Sequence, residues 1–189
     1  MGRMRGIHER PVGLTYQPDL VDDDEERSLL ATLDALDFHE VRMHGQIARR
    51  TVRQFGYTYD YGSFQLTAAE ALPVALRGVR ERCAALAGVD PEALAQTLVT
   101  RYPPDSVIGW HRDAPAFGPT VVGLSLGSAC LLRFQRGAGE NRRVYELELA
   151  PRSGYVLTGA ARSSWQHSIP PVPALRYSLT FRMLRSTRS

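Results

Sequence analysis

From Gln96 to the C-terminus the chain alternates. Short apolar or alternating apolar and polar runs recur at close intervals, broken by Gly, Pro, Ser and Asn. A period of two is the mark of a half-buried strand. It predicts strands near 96–102, 107–112, 120–126, 129–135, 143–149, 154–158, 163–168 and 175–184. Short strands separated by turn signals build a sandwich, barrel or jelly roll, not a parallel sheet with crossover helices.

Before Gln96 the period changes. Leu29, Leu30, Leu33 and Leu36 form a stripe at helical spacing. Asp22-Asp23-Asp24-Glu25-Glu26 opens it, where acidic side chains meet the positive end of the helix dipole. A second helical face runs through Leu76, Val79, Cys83 and Leu86, and Gly88 suits its stop. Thr67 to Glu70 spells a capping box, and Pro73 suits a first turn slightly later. This helix is expected to pack on the outside of a sheet. Residues 1–21 read as an arm without regular structure, with Arg3, Arg5 and Arg10 in reach of phosphate.

Residues 38–66 lack helical periodicity. Phe55, Tyr57, Tyr59 and Tyr61 are spaced by two and predict one aromatic strand face, led in by Arg49, Arg50 and Arg53. Aromatic platforms beside cations suit stacking on bases and holding phosphates. The same pattern equally suits a strand that lays its rings on a core.

Composition narrows the class. The 189 residues suffice for one domain with a substantial core, and 43% hydrophobic with 23% charged is ordinary for a soluble protein. No apolar run approaches a membrane span, and the first residues lack the apolar stretch of a signal peptide. The expectation is a cytoplasmic protein with no membrane partner. Cys83 and Cys130 make neither a disulfide framework nor a zinc spacing and read as buried thiols. All 23 basic residues are arginine, a bias that genomic base composition explains. A net charge of +3 permits a nucleic-acid partner without requiring one.

The chemistry concentrates at His111-Arg-Asp113. Residues i and i+2 of an extended strand share a side, so one imidazole and one carboxylate can grip one ion. His8, His39 and His44 lie outside the β region, which leaves His167 as the candidate third ligand. Two histidines and one carboxylate on one face of a metal is the arrangement of non-haem Fe(II) oxygenases. The last strand adds a second clue. Tyr177, Leu179, Phe181 and Met183 take one face; Arg176, Ser178, Thr180 and Arg182 take the other. If the apolar face packs on helices, two arginines point into the barrel and need anionic partners, which a dicarboxylate supplies. Tyr102 could add a phenol to the same pocket.

Tyr102, His111-x-Asp113, His167 and Arg176-x-Ser-x-Thr-Phe-Arg182, in this order, resemble the AlkB family of Fe(II)/2-oxoglutarate dioxygenases. The resemblance runs from Gly56-Tyr57-Thr-Tyr59 to Arg182. It implies a mainly β fold with flanking helices (α+β): a double-stranded β-helix, or jelly-roll, core over 96–185. N-terminal helices and a nucleotide-recognition lid over 38–66 precede it, all in one domain of residues 1–189. His111, Asp113 and His167 would bind Fe(II). Arg176 would clamp 2-oxoglutarate, with Tyr102, Thr100 and Ser178 hydrogen-bonding it, and Arg182 would sit nearer the metal against co-substrate and substrate. Arg50, Arg53, Tyr57 and Tyr59 would meet the substrate strand.

The implied reaction is oxidative dealkylation of N-alkylated bases in DNA or RNA. It uses Fe(II), 2-oxoglutarate and O2 and releases succinate, CO2 and formaldehyde. The base must be single-stranded or flipped to reach the iron, and the enzyme would act as a monomer. Thr100 and Ser178 stand where the family often has asparagine, and Pro115 where DNA-repair members carry an acidic residue. Pro115 keeps a second substrate class open, a modified tRNA base or a protein side chain. A third reading is a non-catalytic jelly-roll binding module, in which His111, Asp113 and His167 would not converge.

Overall fold

Alternation in the second half of the chain builds two facing antiparallel sheets. The computed structural model describes residues 9–43, 45–60 and 62–186. Arg3, Arg5, His8, His44 and Tyr61 lie outside the described residues.

A short strand β1 (Leu14–Gln17) comes first, then helix α1 (Asp23–Asp34). Strands β2 (His39–Met43), β3 (Gln46–Phe55), β4 (Tyr57–Asp60) and β5 (Gln65–Ala68) follow. Helix α2 (Val74–Ala87) precedes β6 (Gln96–Tyr102), β7 (Ile108–His111), β8 (Phe117–Gly127) and β9 (Cys130–Arg136). Then come β10 (Arg143–Leu149), β11 (Ser153–Leu157), a five-residue helix α3 (Gly159–Ser163), β12 (Gln166–Ile169) and β13 (Arg176–Leu184). One sheet has the order β1-β11-β8-β13-β6-β3-β2, the second β10-β9-β12-β7, and β4 and β5 form a hairpin of their own.

The phase of β13 decides what is inside. Tyr177, Leu179 and Phe181 join Val122, Leu124 and Leu126 of β8 in one core beneath Leu29 and Leu33 of α1 and Leu76, Val79 and Cys83 of α2. The helices thus cover the outer face of the larger sheet. The inner faces of the two sheets enclose a second core with Tyr102, Val121, Leu132, Phe134, Tyr155 and Trp165. Arg176, Ser178, Thr180 and Arg182, all buried, point into it.

Four local expectations are corrected. The arm is not wholly irregular: Leu14–Gln17 pairs with β11 as an edge strand, too short between Gly13 and Pro18 to announce itself. Thr67–Glu70 caps nothing, because Thr67 lies in β5 and α2 starts at Val74 after Pro73. The residue before a proline is turned away from helical dihedrals, which delays the start. The run 163–168 is split between α3 and β12.

The aromatic run is not one strand face. Gly56 breaks it at φ +76, and a Cβ there would lie 2.0 Å from the Ala95 carbonyl oxygen. Phe55 therefore enters the core under the helices, while Tyr59 joins a separate cluster with Ala114 and Phe117. The start of α1 meets its expectation. Asp22 accepts from the Glu25 N–H and the Glu25 carboxylate accepts from the Asp22 N–H, a full capping box.

Both cysteines are buried and free. Burial pushes the Cys83 thiol up from 9.0 to about 12, and the Tyr155 phenol from 10.0 to about 12. Both pKa values are raised on folding. Their contribution to stability is complete below about pH 9 and is lost as the pH climbs towards 12. The urea midpoint is therefore expected to fall steadily above pH 9, less steeply in Cys83→Ala. Cys83 is expected to resist iodoacetamide at pH 8 until the protein unfolds.

Candidate functional site

Strand pairing sets two imidazoles against each other. His111 on β7 is the direct cross-strand partner of His167 on β12, and their ring centroids lie 4.2 Å apart. Facing residues in antiparallel strands carry their side chains on one side of the sheet. Here that side is the barrel interior. His111 Nδ1 lies 2.8 Å from the Gly109 carbonyl oxygen. A carbonyl can only accept, so Nδ1 holds the proton and Nε2 is left with its lone pair. Burial lowers the pKa of both rings, His167 to about 3 with the positive field of His111 adding to the effect. Both imidazoles are therefore neutral near pH 7, the form that ligates metal.

Asp113 arrives differently from the way spacing predicts. β7 ends at His111, and Asp113 stands in the loop that leads to β8. Its side chain is held by an arginine instead of by strand alternation. Arg182 donates to Asp113 Oδ1 from Nε at 2.8 Å and from Nη2 at 2.6 Å. Burial alone would raise this carboxyl, but Arg182, helped by His167 and His111, holds it well below the usual carboxylate range. Asp113 Oδ2 lies 3.8 Å from His167 Nε2, and with a neutral imidazole this is not an ion pair. Among the described residues no three acidic, histidine or cysteine side chains stand in the tight array of a filled metal site. His111, Asp113 and His167 instead form an open cluster. Its donor chemistry, two neutral imidazoles and one anion, suits a divalent transition metal.

A second pocket lies along the same strands. Arg176 is fully buried. Its Nε donates to Ser125 Oγ at 2.9 Å, and its guanidinium lies over the Tyr102 ring, 4.9 Å from the centroid. Nη1 and Nη2 have no hydrogen-bond partner among the described residues. Two orphaned donors on a buried cation constitute a site for an anion. Register places Ser178 between Thr100 of β6 and Ser125 of β8, so a row of three hydroxyls crosses the inner face of the sheet two residues along from Arg176. Arg182 continues through Nη1 to Gln96 Oε1 at 3.2 Å. The Gln96 amide donates to Gln54 Oε1, which also accepts from the Tyr59 N–H. The β4–β5 hairpin is thereby wired to Asp113 through side chains.

The predicted substrate residues separate. Arg50 donates to the Val107 carbonyl at 3.3 Å, and its charge reaches His111. Arg53 pairs with Glu70 and lies over the Phe55 ring. Tyr57 is half-buried, and Tyr59 turns inward, 5.5 Å from the Phe117 ring. A groove of about 970 Å³ opens between the hairpin and the loop after Asp113, lined by Tyr59, Phe64, Leu66, Pro115, Ala116 and Arg185.

Sequence reasoning passed over Ser125, Gln96 and Tyr155. Tyr155 is the least obvious. Its ring lies over Gly123, where a Cβ would stand 2.3 Å from it, and the charges of Arg176 and Asp113 both act on its hydroxyl. Ser153-Gly-Tyr155-Val-Leu157 is buried on both faces, so nothing in the sequence says which face looks inward. Gly123→Ala is expected to push the ring towards Arg176. It should cost about 1–3 kcal/mol, as overpacking does, and weaken anion binding there, measured by urea unfolding and by ligand titration.

Comparison with known proteins comes to the same fold and family. A model of the 2OG-Fe(II) oxygenase superfamily matches residues 13–182. The chain is 29% identical over 174 residues to the tRNA (carboxymethyluridine(34)-5-O)-methyltransferase ALKBH8 of Mus musculus, covering 88% of this chain and 25% of that protein. It is 30% identical over 181 residues to the alkylated DNA repair protein ALKBH8 homolog of Arabidopsis thaliana, covering 84% and 51%. The chain thus spans between 25% and 51% of the length of these two relatives. The solved structure of OsALKBH1 superposes with a TM-score of 0.66 at 16% identity, covering 94% of this chain and 99% of that one. At that identity the likeness speaks for the jelly-roll fold.

Proposed function

The chain belongs to the 2OG-Fe(II) oxygenase superfamily, in its AlkB family, and on that premise we propose that it oxidatively dealkylates N-alkylated bases in DNA or RNA. The family's cofactor and co-substrates are Fe(II), 2-oxoglutarate and O2. The observation that carries the reading is Arg176. A buried guanidinium with two unpartnered nitrogens, in the same barrel as two neutral imidazoles and a carboxylate, suits an oxo-dicarboxylate held at both ends.

His111, Asp113 and His167 would hold the iron. When bound, iron with 2-oxoglutarate and O2 supplies the oxidation and leaves succinate and CO2; an oxidised N-methyl group departs as formaldehyde. The chain's own residues bind and orient. Arg176 takes the distal carboxylate through Nη1 and Nη2, while Tyr102 floors its guanidinium. Thr100 and Ser178 offer hydroxyls to the co-substrate. Arg182 keeps Asp113 ionised and fixed in direction.

The β4–β5 hairpin acts as the lid, and the groove beside Pro115 admits a single-stranded or flipped nucleotide. Of the two arginines predicted on the lid, Arg50 is the one whose charge reaches His111, which makes it the better placed for a phosphate. Tyr57 is the better placed of the two tyrosines for a base, since Tyr59 is packed on Phe117. Arg53 would reach a strand only by leaving Glu70. Among the described residues no helix is long and apolar enough to cross a membrane. The proposed enzyme acts as a monomer in the cytoplasm.

A second reading keeps the iron chemistry and takes a modified tRNA base. The tRNA-directed name of the Mus musculus relative and Pro115 favour it, since proline has no carboxylate with which to read a base amino group. Succinate release distinguishes the two. It is measured with Fe(II), ascorbate and 2-oxoglutarate, with a single-stranded oligonucleotide carrying 1-methyladenine and, separately, an anticodon stem-loop carrying carboxymethyluridine. Stimulation by the first, absent in His111→Ala, supports dealkylation. Stimulation by the second alone moves the assignment to tRNA. Turnover no greater than that of His111→Ala in any condition defeats both.

A further inference from the structure

Arg162 sits on α3, five residues before His167, and reaches across to the loop that carries Asp113. Its guanidinium makes four hydrogen bonds, and every acceptor is a main-chain carbonyl oxygen. Nη1 donates to Asp113 at 3.2 Å, Nη2 to Ala114 at 3.1 Å and to Phe117 at 3.2 Å, and Nε to Gly118 at 3.3 Å. The loop wraps the guanidinium and is closed by the Phe117 N–H on the Ala114 carbonyl. The Arg185 N–H also donates to the Ala116 carbonyl.

The loop has reason to need an anchor. Asp113 lies beyond the end of β7, and among the described residues no strand pairing includes it. Arg182 grips the side chain from β13, yet Arg182 is itself a long rotor. α3 leads directly into β12 and His167. A guanidinium rooted on α3 and bonded to the carbonyls of residues 113–118 therefore ties the carboxylate's segment to the second imidazole's segment. Four carbonyls in two directions call for a planar fork of five N–H groups; an ammonium has three donors at one point.

We propose that Arg162 is a positioning residue for the metal site: it holds the Asp113 main chain at a fixed place relative to His167 and so sets metal affinity. This rests on His111, Asp113 and His167 being the ligands. Groups that orient ligands typically change metal affinity by about 10–100-fold when removed, and that is the loss expected for Arg162→Lys.

The test is Mn(II) binding to the full metal-free chain, read from the free-ion EPR signal, beside thermal unfolding of the same samples. Wild type, His111→Ala, Arg162→Lys and Arg162→Gln are compared. The expected result is binding by wild type, none by His111→Ala, and affinity weakened about 10–100-fold in both Arg162 variants, whose near-ultraviolet circular dichroism stays native. Wild-type affinity in a folded Arg162 variant, even one with a lowered melting temperature, overturns the inference and leaves a structural role. If neither Arg162 variant folds, the residue serves folding and the inference is likewise overturned. If wild type binds no better than His111→Ala, the ligand assignment itself fails and takes the inference with it.

Discussion

Arg176→Met is expected to give a protein that unfolds at higher urea than wild type and no longer holds 2-oxoglutarate. The first half follows from burial. Arg176 hydrogen-bonds the Ser125 hydroxyl, lies over the Tyr102 ring and faces the Cys130 thiol, a weak acceptor, but Nη1 and Nη2 have no nitrogen or oxygen partner among the described residues. Replacing a poorly paired buried charge with an apolar side chain of similar volume is often neutral or stabilising by about 1–4 kcal/mol. Losing the Ser125 bond and the ring contact offsets about half of that, so a gain of about 1 kcal/mol is expected. The second half follows from the ligand. Two charge-assisted hydrogen bonds to a carboxylate contribute about 1.5–3 kcal/mol each. Their loss should raise the KM for 2-oxoglutarate by a factor of about a hundred to ten thousand. Urea unfolding without ligand and co-substrate titration read the two effects separately. A less stable variant would mean that those nitrogens are well satisfied in the ligand-free protein, and the anion-site argument would lose its footing.

Asp113→Ala is expected to do the reverse to stability. It leaves Arg182 buried between the Gln96 amide oxygen and the Phe117 ring, with no carboxylate partner among the described residues. Removing one partner of a buried pair typically costs about 3–5 kcal/mol, because the other charge stays behind. Metal binding should disappear as well. Asp113→Asn separates the two losses. The amide keeps the volume and one acceptor for Arg182, so most of the stability should return while metal affinity stays low.

Acid titration adds a check of sign. The Asp113 carboxyl is held below its usual range when folded, so it stabilises the protein above about pH 4 and that contribution is lost as the pH falls further. The wild type should therefore lose stability below about pH 4 more steeply than Asp113→Asn. Equal acid slopes would mean that Arg182 does not depress the carboxyl.

Much of this site could be read before any coordinate. The alternation of Arg176, Ser178, Thr180 and Arg182 against Tyr177, Leu179 and Phe181 stated which face would be polar, and helices rich in leucine stated where the apolar face would go. The eight strands after Gln96 were legible for the same reason. What was not legible depended on contacts distant in sequence. Gly56 ends the aromatic face because Ala95 comes close to it, and nothing near Gly56 announces Ala95. Tyr59 turns inward because Phe117 waits for it. Spacing put Asp113 on the strand of His111, but it stands beyond the end of β7, where arginines from β13 and α3 hold it instead of the pleat. β1 was missed because four residues carry too little pattern to outvote the proline and glycine around them.

Among the described residues β7 borders the smaller sheet and pairs with β12 alone, whereas β12 lies between β9 and β7. The two imidazoles are thus unequal in tenure. Border strands open locally at far smaller free energy than strands with two neighbours, so His111 can be withdrawn by fraying while His167 stays put. Metal captured by this protein would exchange through that border, at a rate set by the opening of four residues and not by the lifetime of the whole fold.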